Sequence, residues 1–251
     1  MKNILLLMAF ALSFVFISCD DEKDEPLAPD SHDCVDLGLP SGTLWATCNV
    51  GADSPEQYGD YFAWGETATK DSYDWRNYRW AHWVYDTIGD HFYRVVEETF
   101  YKYYVENWTA NGSVTGDRKM ELDPEDDAAY VNWGSRWRTP TLEQLQELVD
   151  KCDWQLTERN AVKGYLVTGP NGKSIFMPVS GGRYDNGDIY NGGKFAYYWS
   201  RTLCSPNKLN IEDVDQHYAY ILFFNTWGEQ EIWYDSRYVG VPVRAVRVSR
   251  K

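Results

Sequence analysis

Beyond residue 160 the chain is cut into short apolar runs by turn residues, and that punctuation limits the fold more than any other feature. Runs 162–168 and 173–179 flank Gly169-Pro170-Asn171-Gly172. Glycine supplies the left-handed backbone that a tight loop needs and proline presets its entry, so the two runs read as a hairpin. Runs 196–202, 218–225, 229–234 and 241–248 are six to eight residues each, long enough for a strand and too short for a stable helix. Segments 183–193 and 204–216 between them read as loops.

Upstream, Pro40-Ser41-Gly42 is a turn signal before a strand over 43–50, and Gly59 and Gly65 bound a second short strand. Two helices interrupt the strands. Asp123 reads as an N-cap with Pro124 in the first turn, the acids after it facing the positive end of the helix dipole, and Gly134 as the stop. After an extended Arg136-Trp137-Arg138, Thr139-Pro140 opens a helix running to about Lys151, with Leu142, Leu145, Leu148 and Val149 on one face. Two helices and seven or eight strands make an α+β fold of small, mostly antiparallel sheets.

An insertion around 70–120 stands apart. Thirteen aromatics fall in the thirty-six residues from Tyr73 to Trp108. Periodicity does not decide between helix and strand for 95–105. Trp75, Trp80 and Trp83 are the candidate ligand-binding residues, because indole faces stack on sugar C–H groups while their polar edges bond hydroxyls. The plainer alternative is that they pack the insertion onto the domain. If they do, loops 183–193 and 204–216 are the next places for a binding face.

Residues 1–19 read MKNILLLMAFALSFVFISC: one positive charge, an apolar run too short to span a bilayer, then Ile17-Ser18-Cys19. This resembles a bacterial lipobox, which makes residues 1–18 a signal peptide and Cys19 the acylated first residue of the mature chain, carrying palmitate or a similar acyl group. An uncleaved anchor helix, or a secreted protein with an incidental cysteine, is the alternative. Residues 19–33 read as an acidic flexible tether: five of the six residues from Asp20 to Glu25 are acids and none is apolar. Such a stretch after the lipid-bearing cysteine also resembles the surface-export signal of Bacteroidota lipoproteins. Residues 34–251 are then a single domain. Lys2 is the only charged residue of 1–18, so their removal takes the net charge from −14 to −15. That balance argues against nucleic acid as a partner, since phosphate binding needs cationic surface. It leaves the lipid anchor as the only contact with a membrane.

Four cysteines remain: Cys34, Cys48, Cys152 and Cys204. An even number in an oxidising compartment admits three pairings or none. Cys48 with Cys152 is the preferred disulfide, since each ends or follows a regular element of the expected core. Catalytic signals are weak. His32, His82, His91 and His217 make no helical metal pair, and Gly-x-Ser-x-Gly is absent. Asp126 with Asp127, and Glu121 with Asp123, are carboxylate pairs of the kind glycosidases use, yet sit where a helix start needs acids. No enzyme activity and no cofactor are expected. Asp185 and Asp188, with Asn186 and Asn191, are weak calcium candidates, and an Asx/Gly turn is the plainer reading.

Six blocks in order, VDLGLPSGTLWATCNVGA (35–52), YGDYFAWGET (58–67), LDPEDDAAYVNWGSRWRTPTLEQLQEL (122–148), VKGYLVTGPNGKSIFMPVSGGR (162–183), YYWSRT (197–202) and VGVPVRAVR (239–247), resemble the Fibrobacter succinogenes major paralogous domain family of bacterial surface lipoproteins. The resemblance fades over 81–118. It implies a C-type-lectin-like fold, with two helices packed on small twisted sheets and the first and last strands adjacent. The Glu-Pro-Asn sugar–calcium motif of many C-type lectins is missing. The expectation is a lipid-anchored outer-membrane protein exposed on the cell surface, acting in binding or adhesion toward a glycan or a surface protein. A structural or assembly role in the envelope or fimbriae, through a protein partner, comes second. A glycan hydrolase comes third.

Overall fold

The computed structural model describes residues 32–88, 92–109, 112–204 and 216–248. The signal peptide, Cys19 and the tether up to residue 31 lie outside the described residues, as do His91 and positions 205–215 of the 204–216 loop. All the described residues fall within one compact unit of the chain.

An N-terminal hairpin, β1 (Cys34–Asp36) and β2 (Thr43–Ala46), leads to a short β3 (Tyr61–Phe62). The insertion follows as two hairpins, β4 (Ala81–Ile88) with β5 (Phe92–Phe100) and β6 (Glu106–Thr109) with β7 (Gly112–Thr115). Next come α1 (Ala128–Trp133), β8 (Trp137–Arg138) and α2 (Leu142–Lys151). A three-stranded meander, β9 (Asp153–Arg159), β10 (Val162–Thr168) and β11 (Ser174–Pro178), precedes a small hairpin, β12 (Gly182–Tyr184) and β13 (Asp188–Tyr190). The chain closes with β14 (Phe195–Leu203), β15 (Tyr218–Asn225), β16 (Gln230–Ser236), β17 (Val241–Pro242) and β18 (Val246–Val248). Strand order is β1-β2-β18-β8 in one sheet and β14-β15-β16 in another. The last strand therefore lies beside the N-terminal hairpin, antiparallel to β2. The fold is α+β, built from small antiparallel sheets and two helices.

Both faces of the β14–β15 pair are buried, and strand alternation divides them. Trp199 and Ile221 enter one core cluster with Trp64, Trp137 and Val243. Tyr198, Leu222 and Phe224 enter a second, under Leu145 and Leu148 of α2 and Val167 of β10. Among the described residues two arginines, Arg237 and Arg244, are fully buried. Arg244 donates to Asn49 Oδ1 and to the carbonyls of Ala46, Thr47 and Phe176, at 2.8–3.0 Å. It stands where a single strand over 241–248 was expected, and its position explains the break into β17 and β18.

Other local expectations shift for identifiable reasons. Pro124–Asp126 is a separate 3-10 turn, and the cap of α1 is Asp127. Its Oδ1 accepts from Ala129 N at 2.9 Å and from the Thr139 hydroxyl at 2.7 Å, so a buried carboxylate ties the helix start to the chain before α2. Burial pushes that carboxyl up, and hydrogen bonds from Thr139, Tyr130 and Ala129 oppose the rise. The cap of α2 is Thr141 rather than Thr139, in a capping box with Gln144. Its Leu142, Leu145 and Leu148 are buried as the spacing predicts. Segment 183–193 contains the β12–β13 hairpin instead of a loop, and β9 appears where no strand was expected.

The Cys48–Cys152 disulfide is not formed, and both residues are free thiols. Cys48 follows the two carbonyls that Arg244 holds, with its Sγ 3.6 Å from Thr47 Oγ1. Cys152 caps the far end of α2 against the second cluster. Burial, with the charges of Glu147 and Asp153, pushes the Cys152 thiol up to about 11. Among the described residues no helix is long and apolar enough to cross a membrane.

Candidate functional site

The register of the β14–β15–β16 sheet places side chains in rows, because directly paired residues share a face. One row is Tyr197, Phe223 and Glu231, and the next is Trp199, Ile221 and Trp233. Toward β14 these rows run under the first core cluster. Toward β16 they emerge and form the floor of a 440 Å³ groove lined by Tyr184, Tyr197, Phe223, Glu231, Trp233 and Asp235, with Ile221, Glu229 and Tyr234. The size is that of an ordinary small-ligand site.

Tyr184, from the β12–β13 hairpin, closes one side, and its hydroxyl donates to Asp235 Oδ2 at 2.8 Å. Burial raises the Asp235 carboxyl, while the Tyr184 hydroxyl and the Ser236 amide oppose the rise. The Tyr184 phenol is pushed up strongly, first by burial and then by the Asp235 charge. At the β15–β16 turn Asn225 Nδ2 donates to Glu229 Oε2 at 2.5 Å. Trp227 in this turn is 66% exposed, and Trp233 on the strand 47%. The ring of Phe195 lies 5.2 Å from Trp227 and 5.9 Å from Phe223, and Tyr197 lies 5.8 Å from Phe223, so aromatic surface continues past the groove.

No family model, no curated protein and no solved structure matches the chain. The side chains themselves carry the functional reading.

The insertion tryptophans expected to offer a platform are only partly exposed, and their rings are engaged. Trp75 and Trp83 stack on each other at 4.5 Å, 10° from parallel. Trp75 also meets Tyr78, Phe100 and Tyr238 edge-on. The Trp80 indole donates to Gly65 O at 2.7 Å beneath the Arg79 guanidinium, 4.5 Å from the ring. All three pack on a third cluster that includes Tyr61, Tyr73, Tyr78 and Phe100. The second buried arginine, Arg237, clamps the insertion: it donates to Tyr78 Oη and to the carbonyls of Tyr103, Lys102 and Gln216 at 2.9–3.0 Å. The stretch 95–105 resolves into the end of β5 and an irregular turn.

The calcium candidates sit in a turn. Asp185 pairs through its backbone with Tyr73, and Asp188 Oδ2 accepts from Asn186 Nδ2 at 2.6 Å. Among the described residues the acids that converge are Asp123, Glu125 and Asp126. The Lys102 ammonium already sits among them, 2.6 Å from Asp123 Oδ2 and 2.5 Å from Asp126 Oδ2. The carboxylate pairs near α1 are thus occupied with an ion pair and a helix cap.

The groove residues lie in or beside segments that read from sequence only as strands, except that Tyr184 falls within the 183–193 loop. A signal was present: in Glu231-Ile232-Trp233-Tyr234-Asp235, alternation puts acid, indole and acid on one face.

Proposed function

We propose that this chain is a lipid-anchored surface protein whose folded domain is a binding or adhesion module for glycans, with the groove beside β16 as its site. The observation that carries the reading is an open trough on a rigid sheet. Its aromatic faces suit sugar rings, and its carboxylates accept hydrogen bonds from hydroxyls. Placing the groove on paired strands, not on a loop, keeps the aromatic faces fixed before a ligand arrives. The family resemblance supports the same reading, and the antiparallel contact of β18 with β2 accords with the C-type-lectin-like arrangement it implies. Membrane affinity would come from acyl chains on Cys19, and many copies on one cell would turn modest single-site affinity into firm attachment.

A glycan array probed with the purified full-length chain tests this. Binding to one glycan class that falls in Trp233→Ala and survives in Val131→Ala, an exposed apolar position on α1, is the expected result. Binding unchanged in Trp233→Ala removes the groove. Acyl labelling of the wild type that persists in Cys19→Ala removes the lipid anchor.

A further inference from the structure

The groove carries three carboxylates and no cation. Its lining includes Glu229, Glu231 and Asp235 but neither Lys nor Arg. Their hydrogen-bond partners within the groove are neutral: Asn225 Nδ2 for Glu229, and the Tyr184 hydroxyl and the Ser236 amide for Asp235. Among the described residues no ion pair reaches any of the three, so no cation compensates their charge.

The acids are also spaced. Glu231 and Asp235 stand on the same face of β16 with Trp233 midway between them. At the rise of an extended strand they lie about 13–14 Å apart along it. A ligand satisfying both must carry positive charge at intervals, with a flat, weakly polar body between to cover the indole. Cations also favour the faces of the neighbouring rings of Tyr197, Phe223 and Trp233. Uronates or sulfated sugars would be repelled by the site and by the net charge of −14.

We propose that the groove selects oligosaccharides bearing free amino groups, chains of 2-amino sugars in particular. This rests on the glycan-binding reading and narrows it. An amino sugar chain presents ammonium groups at regular intervals with ring C–H faces between them, which matches the order of acid, indole and acid along β16. A single amine would engage one carboxylate and leave the others unmet.

Titration calorimetry of the full-length chain tests the proposal with β-1,4-linked hexamers that share one backbone: glucosamine, N-acetylglucosamine, glucose and glucuronate. The pH is held where both amines and carboxylates are charged. The glucosamine hexamer should bind about tenfold tighter than the glucose hexamer, about 1.4 kcal/mol, and the advantage should shrink with added salt. The glucuronate hexamer should not bind. The double variant Glu229→Gln/Glu231→Gln should weaken binding of the glucosamine hexamer far more than that of the glucose hexamer, so that the glucosamine advantage narrows. Asp235, half-buried and bonded to Tyr184, is left alone so that folding is not disturbed. Equal or tighter binding of the glucose hexamer overturns the charge argument and leaves glycan binding standing. Tighter binding of hexalysine than of any sugar overturns it in favour of a basic polypeptide. If no hexamer binds to a chain that circular dichroism shows to be folded, the glycan reading falls as well.

Discussion

In the insertion, Trp75 and Trp83 face each other 4.5 Å apart, and Trp80 is held between a backbone carbonyl and a guanidinium. On the β14–β15–β16 sheet, Trp233 has strand neighbours on one side and a 440 Å³ groove on the other. The two regions use the same residue types. They differ in what surrounds the rings: among the described residues the insertion's aromatics close on one another, on a small third cluster and on Arg237. On the sheet, Ile221 and Trp199 belong to the first cluster, Tyr184, Tyr197 and Phe223 lean on it from the groove side, and Trp233 is left exposed beyond them. Aromatic density therefore marks where a small core must be assembled, and spare aromatics appear where a core is already complete.

The largest test of this contrast is Arg237→Met. It removes a fully buried guanidinium and leaves three carbonyls and the Tyr78 hydroxyl without their donor, so unfolding free energy should fall by about 3–5 kcal/mol in urea titrations. A loss under about 1 kcal/mol would mean that the insertion is held by other contacts. Trp75→Ala should lower stability by about 2–3 kcal/mol, below the usual figure for a fully buried Trp because the ring is partly exposed, and should leave ligand affinity unchanged. Reduced affinity in a folded Trp75→Ala protein would return the binding face to the insertion.

A pH series sharpens the contrast from the groove side. Burial holds the Asp235 carboxyl above its ordinary value. As pH rises from the ordinary carboxylate range, about 3.9 for Asp, the unfolded chain releases this proton before the folded chain does. Stability contributed at Asp235 therefore falls as pH climbs through that window and is flat above the raised value. The difference in unfolding free energy between wild type and Asp235→Asn should decline across the same window. A difference that rises with pH would mean that the Tyr184 hydroxyl outweighs burial. The smallest expected effect is on the stability of Trp233→Ala, a change within about 0.5 kcal/mol, paired with a loss of about 1 kcal/mol in glycan affinity. A large loss of stability there would make the indole part of the core.

What the sequence reveals follows the range of its signals. The β10–β11 hairpin, the buried leucine face of α2 and the strands β14 to β16 all come from local turn chemistry and periodicity. Strand β9, Asp-Trp-Gln-Leu-Thr-Glu-Arg, is a mostly exposed edge with little apolar pattern, and the strands of β12–β13 are three residues each, too short to show a period. The caps fall at Asp127 and Thr141 rather than at Asp123 and Thr139, because several residues near each helix start can cap and the choice depends on distant bonds such as Thr139 to Asp127. The groove is a product of register. Tyr197, Phe223 and Glu231 become neighbours only when three strands align, so composition pointed to the insertion, where aromatics cluster along the chain rather than across it.

Strand β16 is also the last of its sheet: among the described residues its outer edge pairs with no other strand. An open edge carrying an exposed tryptophan invites pairing with the same edge of a second molecule. Glu231 and Asp235 alternate with Trp233 along that edge, and two such strands brought together would set like charges against each other. The carboxylates that shape the groove would thereby oppose edge-to-edge pairing, and variants that neutralise them call for a check of molecular mass alongside affinity.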